Sequence, residues 1–159
     1  PGEIIIRSEA NMLGYWRRPD LTEQTLRDGW MWTGDIAVWD EDGYVFIVDR
    51  AKDMIISGGE NIFSTQVEAA IHQHPAVLES AVFGVPDDTW GEAVKAVVVL
   101  KPGCEASAED IIAEASKHLA SYQKPKSVDF VEALPKAPTG KILKRELRDP
   151  YWQTQERKV

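Results

Sequence analysis

The side-chain pattern of this chain changes character close to Arg50, and that change constrains the fold more than any other feature. Before it lie three strand-like stretches: residues 3–7, "WTGDIAVWD" (32–40) and "GYVFIVDR" (43–50). The last two are joined by "DEDG", a hairpin-turn signal in which Gly43 is free to adopt positive φ. "LTEQTLRDGW" (21–30) reads as one or two helical turns between the first two strands. After Arg50, helices and strands alternate. Thr65-x-x-Glu68 predicts a capping box, and Val67, Ala70, Ile71 and His74 follow at helical spacing until Pro75 stops the run. "VLESAVFGV" (77–85) and "EAVKAVVVL" (92–100) are strands rich in valine. Ser107-x-x-Asp110 opens a second helix with Ile111, Ile112, Ala115 and Leu119 on its buried side, and "SVDFVEAL" (127–134) is a third strand.

The order helix, strand, strand, helix, strand predicts an α+β domain, a small open β-sheet with packed helices, preceded by a smaller β-rich unit. The expected boundaries are residues 1–49 for the first unit, 50–53 for a hinge and 54–159 for the second unit. Residues 1–48 hold Trp16, Trp30, Trp32 and Trp39, yet the segment is about as short as a domain can be without help. The chain begins Pro-Gly, without Met, directly before a strand, so the expectation is a chain cut within a larger domain. Its first residues are then expected to be disordered, or covered by a second copy in a homodimer.

Composition excludes several classes. No apolar run reaches the roughly 20 residues that span a bilayer, and no signal peptide is evident. The single cysteine, Cys104, forms no internal disulfide, which fits a reducing cytoplasm. His72, His74 and His118 lack ligand spacing, so no metal site is expected. The net charge of −8 argues against a nucleic-acid surface, but it is uneven: residues 124–148 carry +4 and the rest −12. A local basic face on an acidic protein suits a small polyanionic ligand or, as the simpler reading, a solvated surface.

Three stretches carry chemistry. In "TGD" (33–35), the Asp35 carboxylate offers two acceptor oxygens suited to a vicinal diol such as a ribose; a turn residue is the alternative. "VDRAKDMIISGGENI" (48–62) clusters Asp49, Arg50, Lys52 and Asp53 at the unit junction, with Lys52 as a candidate pivot. In the same stretch Gly58 and Gly59 permit close approach of the backbone to a ligand. "PKAPTGKILK" (135–144) is no P-loop, because the required first glycine is Pro135 and Ile142 follows Lys141. It reads as a loop stiffened by Pro135 and Pro138, pliable at Gly140, that presents Lys141 as a point charge for a carboxylate or phosphate.

"TGD" at 33–35, "GYVFIVDRAKDMIISGGENIFSTQVEAAI" at 43–71, "GVPDDTWGEAV" at 84–94 and "PKAPTGKILKREL" at 135–147 together resemble the C-terminal part of an adenylate-forming acyl-CoA synthetase, an acid:CoA ligase of the AMP-binding family. The resemblance implies a two-step reaction. A carboxylate attacks the α-phosphate of ATP, with Mg2+, to give an acyl-adenylate and pyrophosphate; the thiol of CoA then displaces AMP. It implies that a mobile lid rotates between the steps about Lys52. Asp35 and Arg50 would hold the ATP ribose and phosphate, and Lys141 would be the adenylation lysine. Gly58 and Gly59 would line the pantetheine tunnel, with Trp90 against CoA and Tyr122, Lys124 and Lys126 at the CoA nucleotide. The phosphate loop, adenine platform and acyl pocket would lie on a missing N-terminal domain, so this chain alone is expected to be inactive. Loading of a phosphopantetheinyl carrier protein and a non-catalytic binding module are the alternatives; the carboxylic acid itself is not legible.

Overall fold

The computed structural model describes residues 1–153, and the chain divides into two compact units, Pro1–Lys52 and Asp53–Val159. The first contains β1 (Gly2–Ile6), α1 (Pro19–Thr25), β2 (Leu26–Arg27), β3 (Trp30–Trp39) and β4 (Val45–Arg50). β3 is the antiparallel partner of all three other strands. Residues 1–48 thus hold an ordered sheet, in place of the disorder expected for an uncovered segment. The β3–β4 turn closes as its sequence predicts. Gly43 at φ +84° donates its N–H to the Asp40 carbonyl at 3.1 Å, and the Asp40 N–H returns to the Tyr44 carbonyl at 3.1 Å. Among the described residues of this unit, only Ala37 and Asp49 are buried.

A 3₁₀ turn over Ala51–Asp53 carries the chain across the boundary. The second unit then runs β5 (Ile55–Ser57), β6 (Glu60–Ile62), α2 (Ser64–Ile71), β7 (Val77–Asp87), β8 (Gly91–Leu100), α3 (Ala108–Ala115), β9 (Ser127–Phe130) and α4 (Lys144–Arg148). The sheet order is β6-β5-β8-β7. β9 lies parallel to β8, Lys95 facing Ser127, farther along the strand from the point where Ser57 of β5 faces Gly91.

Alternation along β7 and β8 gives this sheet two apolar faces. Val82, Val94, Ala96 and Val98 point to the side of α2 and α3, against Val67, Ile71, Ile111 and Ala115. Ala81, Phe83, Val97 and Val99 point to the other side, where Leu134 packs with Ile142 and Leu147 from the C-terminal segment. The result is three layers: helices, sheet, and a covering made by residues 134–152.

The two capping signatures fare differently. Ser107 caps α3 as expected: its hydroxyl accepts the Asp110 N–H at 3.2 Å, and Asp110 Oδ2 accepts the Ser107 N–H at 3.0 Å and its O–H at 2.6 Å. These bonds, the one from the Ser107 hydroxyl above all, hold the Asp110 carboxyl below its usual range. Thr65, by contrast, is not a cap. α2 starts at Ser64 after Phe63, and Glu68 turns away to accept the Val82 N–H at 2.8 Å. The strand expected over 127–134 stops at Phe130, because Leu134 leaves the sheet to cover its second face.

Candidate functional site

In the first unit, Asp35 and Arg50 are direct cross-strand partners of β3 and β4. Arg50 Nε lies 2.9 Å from Asp35 Oδ1, with the carboxylate side chain 24% exposed. Gly34 supplies the φ of +74° that turns the strand here, its N–H going to Glu3 Oε1 at 2.8 Å. Thr33 Oγ1 donates to the Ile4 carbonyl at 2.8 Å and accepts the Asp35 N–H at 3.1 Å. The "TGD" stretch is therefore held on both sides, and it presents a carboxylate already oriented by a guanidinium.

In the second unit, the expected "SGG" loop is a hairpin turn. Gly58 (φ +60°) and Gly59 (φ +87°) join β5 to β6, with Ser57 facing Glu60. Two successive positive φ values make this a type I′ turn, which explains both glycines. They are not equivalent. A Cβ on Gly58 would lie 2.8 Å from Trp90 Cε3, whereas one on Gly59 would meet nothing within 4 Å. Gly58 makes room for the indole and gives its N–H to the Trp90 carbonyl at 2.8 Å; at Gly59 the space a Cβ would take is open. Trp90 is itself fixed by Asp87, whose Oδ1 accepts the N–H groups of Thr89 and Trp90 at 2.9 Å each. Two segments distant in sequence, 57–59 and 87–91, thus meet at one end of the sheet.

Tyr122, Lys124 and Lys126 follow α3 on a segment that joins the same edge of β8, the Lys126 N–H donating to the Val94 carbonyl at 2.8 Å. Gln123 and Pro125 between them are buried, which leaves Tyr122 and Lys126 exposed and Lys124 half-buried. Sequence reasoning passed over Gln123. Its Oε1 accepts the Ala120 N–H and its Nε2 donates to Gln66 Oε1, both at 3.0 Å, anchoring the basic run to α2. No local pattern marks it, because its burial is decided by the Ala120 N–H and by Gln66, 57 positions away.

Lys141 stands exposed on a hairpin with the same turn as β3–β4. The Gly140 N–H returns to the Ala137 carbonyl and the Ala137 N–H to the Lys141 carbonyl, both at 2.8 Å. Pro138 occupies the first corner and Gly140 (φ +84°) the bulge, so Gly140 fixes the loop where pliability was expected. This hairpin belongs to the layer on the sheet face opposite α2 and α3. Lys52 is exposed at the unit boundary.

Residues 66–141 match the AMP-binding enzyme C-terminal domain. The chain belongs to the AMP-binding enzyme C-terminal domain family. It is 46% identical, over 99% of its length, to a fatty acid–[acyl-carrier-protein] ligase, ScoC, of Streptomyces coeruleorubidus, and covers 30% of that protein. It is 50% identical, over 94% of its length, to a long-chain-fatty-acid–CoA ligase of Yersinia pestis, covering 26% of it. Among solved structures, the amide bond synthetase McbA from Marinactinospora thermotolerans superimposes with a TM-score of 0.83 at 41% identity, over 94% of this chain and 31% of that one. The chain thus spans less than a third of the length of these relatives, and its fold is that of the C-terminal domains of adenylate-forming enzymes. Among the described residues, no cluster of His, Cys, Asp and Glu is placed to hold a metal, and no helix is long and apolar enough to cross a membrane.

Proposed function

We propose that this chain is the C-terminal section of an acid:CoA ligase, which joins a carboxylic acid to CoA through an acyl-adenylate. The observation that carries this reading is the two-sided display of the second unit. Gly58, Gly59 and Trp90 are gathered at one end of the sheet, while Lys141 is held on the layer that covers the face away from α2 and α3. One body with two separate functional surfaces suits a lid that serves two successive reactions in two orientations.

In the first reaction a carboxylate oxygen attacks the α-phosphorus of ATP and pyrophosphate leaves. Asp35 accepts hydrogen bonds from the ribose hydroxyls, and Arg50 orients that carboxylate while facing ribose or phosphate. Lys141 brings one positive charge to the acid and the α-phosphate, where negative charge develops. Mg2+ would arrive with the nucleotide, neutralising its phosphates. Rotation about Lys52 then withdraws Lys141, so that it no longer assists the reverse attack by pyrophosphate, and brings up the open backbone of Gly59. In the second reaction the CoA thiolate attacks the acyl carbon and AMP leaves. The pantetheine arm passes Gly59 and Trp90, and Tyr122, Lys124 and Lys126 receive the charged nucleotide end. Binding of ATP, the acid and the reacting groups also requires the N-terminal domain that such a ligase carries.

The acceptor is the less constrained half of this reading. The relatives above are named for a carrier-protein acceptor, for CoA and for amide bond synthesis, at similar identity. Loading of a carrier protein is therefore the second reading, favoured by the 46% identity to ScoC over nearly the whole chain. The Lys124/Lys126 pair favours free CoA, whose 3′-phosphate a carrier protein lacks. Turnover of the full-length enzyme with CoA against a panel of carrier proteins separates the two. The catalytic test is Lys141→Ala in the full-length enzyme: acyl-adenylate formation is expected to fall by about 10²-fold or more, with thioester formation from supplied acyl-adenylate spared. Equal losses in both half-reactions would refute the role given to Lys141.

A further inference from the structure

Two ion pairs bracket the junction between the units, one on each side. Arg50, the last residue of β4, pairs with Asp35 inside the first unit. Asp53, the first residue of the second unit, pairs with Arg148 inside that unit: Arg148 Nη1 lies 3.6 Å from Asp53 Oδ1. The two differ in environment. The Arg50 and Asp35 side chains are 43% and 24% exposed, those of Arg148 and Asp53 only 13% and 16%. A pair largely shielded from water is screened less by salt and solvent. Only Ala51 and Lys52 lie between the two pairs.

We propose that the Asp53–Arg148 pair is a clasp that fixes the second unit's side of the pivot, so that rotation is confined to Ala51 and Lys52 and the Lys141 hairpin turns as one body with the pivot. The proposal rests on the two-stage reading given above and assigns Asp53 and Arg148 as positioning residues. Arg148 is the last residue of α4, and α4 begins three residues after Lys141. At the start of that helix, Lys144 Nζ reaches Glu68 Oε1 and Ser64 Oγ, each at 2.7 Å, which pins it to α2. Between the two pins, Leu147 seats on the second apolar face together with Ile142. The hairpin carrying Lys141 therefore runs directly into a helix held at both ends, and its far end is held by the residue next to the pivot. The Gly58–Trp90 contact depends on none of this, being secured by its own backbone bond and by the pairing of Ser57 with Gly91.

Releasing the clasp lets backbone rotation spread into Asp53 and Met54, and Lys141 then reaches the acid and phosphate in a broader range of poses. Adenylate formation suffers first, because a charge misplaced by about 1 Å costs as much as 10²-fold in rate. The test uses the full-length enzyme carrying this chain, with the two half-reactions measured separately by rapid quench. For Asp53→Asn, adenylate formation is expected to fall about tenfold in kcat with little change in KM for ATP, and thioester formation from supplied acyl-adenylate to fall less than about twofold. Arg148→Lys, which keeps the charge and loses the planar fork, is expected to show a smaller loss with the same selectivity, and it carries the test if Asp53→Asn does not fold. The charge-reversed double variant, Asp53→Arg with Arg148→Asp, is expected to recover most of the lost rate. Unchanged rates in Asp53→Asn, equal losses in both half-reactions, or no recovery in the double variant would overturn the clasp. Lys141→Ala is measured alongside. If it fails to separate the half-reactions, the two-stage reading falls and the clasp with it; if it separates them and Asp53→Asn behaves as wild type, the clasp alone falls.

Discussion

The two units solve the same problem, a β-sheet with apolar side chains, with opposite completeness. The second covers both faces of its sheet from its own sequence, α2 and α3 on one side and residues 134–152 on the other, and Ile55, Ile62, Val67, Ile71, Val82, Ala96, Val98 and Ile111 are fully or almost fully sequestered. The first offers Trp39 (82% exposed), Tyr44, Val45, Phe46 and Ile47 to solvent and buries little. One unit carries its own core, whereas the other leaves most of its apolar side chains uncovered. The rotation proposed for the second unit calls for the first arrangement, a body that holds its own core.

The most forceful way to break this contrast is to remove equal apolar volume from each unit. Ile71→Ala is expected to destabilise the second unit by about 2–5 kcal/mol, because the side chain is fully enclosed. Ile47→Ala, at a position 64% exposed, is expected to shift the same denaturation midpoint by less than about 0.5 kcal/mol. Comparable losses would mean that the first unit has a core of its own. A smaller effect sharpens the account of the glycine pair. Gly59→Ala meets only the backbone cost of positive φ, about 1–2 kcal/mol, while Gly58→Ala adds a collision with Trp90. The second is therefore expected to cost more, and to change tryptophan fluorescence where the first does not.

The smallest effect concerns pH. The Asp110 carboxyl is held below its ordinary range in the folded protein by the Ser107 hydroxyl and N–H. A depressed folded-state value means that its contribution is complete above the unfolded carboxylate value near 4 and is lost as pH falls below it. Ser107→Ala is expected to lower stability modestly at neutral pH, where that contribution is complete, and to draw level with the unaltered protein as pH falls below that value, which flattens the acid limb. An unchanged acid limb would show that the capping box contributes nothing to it.

Local rules made much of this molecule legible. The DEDG turn, the Ser107 cap and the two valine-rich strands follow from spacing alone, since each is stabilised by residues within a few positions of one another. What escaped was decided by distant partners. Glu68 occupies the third position of an apparent capping box, yet the Val82 N–H and the Lys144 amine recruit it from across the sheet. β5 and β6 are three residues each, too short for an alternation to register, and they exist because β8 supplies a neighbour. The site shows the same division. Asp35, Gly58, Trp90 and Lys141 could be singled out from their motifs, but the pairing of Asp53 with Arg148 joins positions 95 residues apart, and no periodicity announces it.

The third layer also has a bearing on how the polypeptide emerges during synthesis. Phe83, Val97 and Val99 are translated well before Leu134, Ile142 and Leu147, so a nascent chain that has already paired β7 with β8 carries a bare greasy surface until residues 134–147 leave the ribosome. Premature termination anywhere between β9 and α4 would yield a sheet with one side uncovered, a substrate for chaperones and for self-association. The segment bearing Lys141 is in this sense also the seal that completes folding.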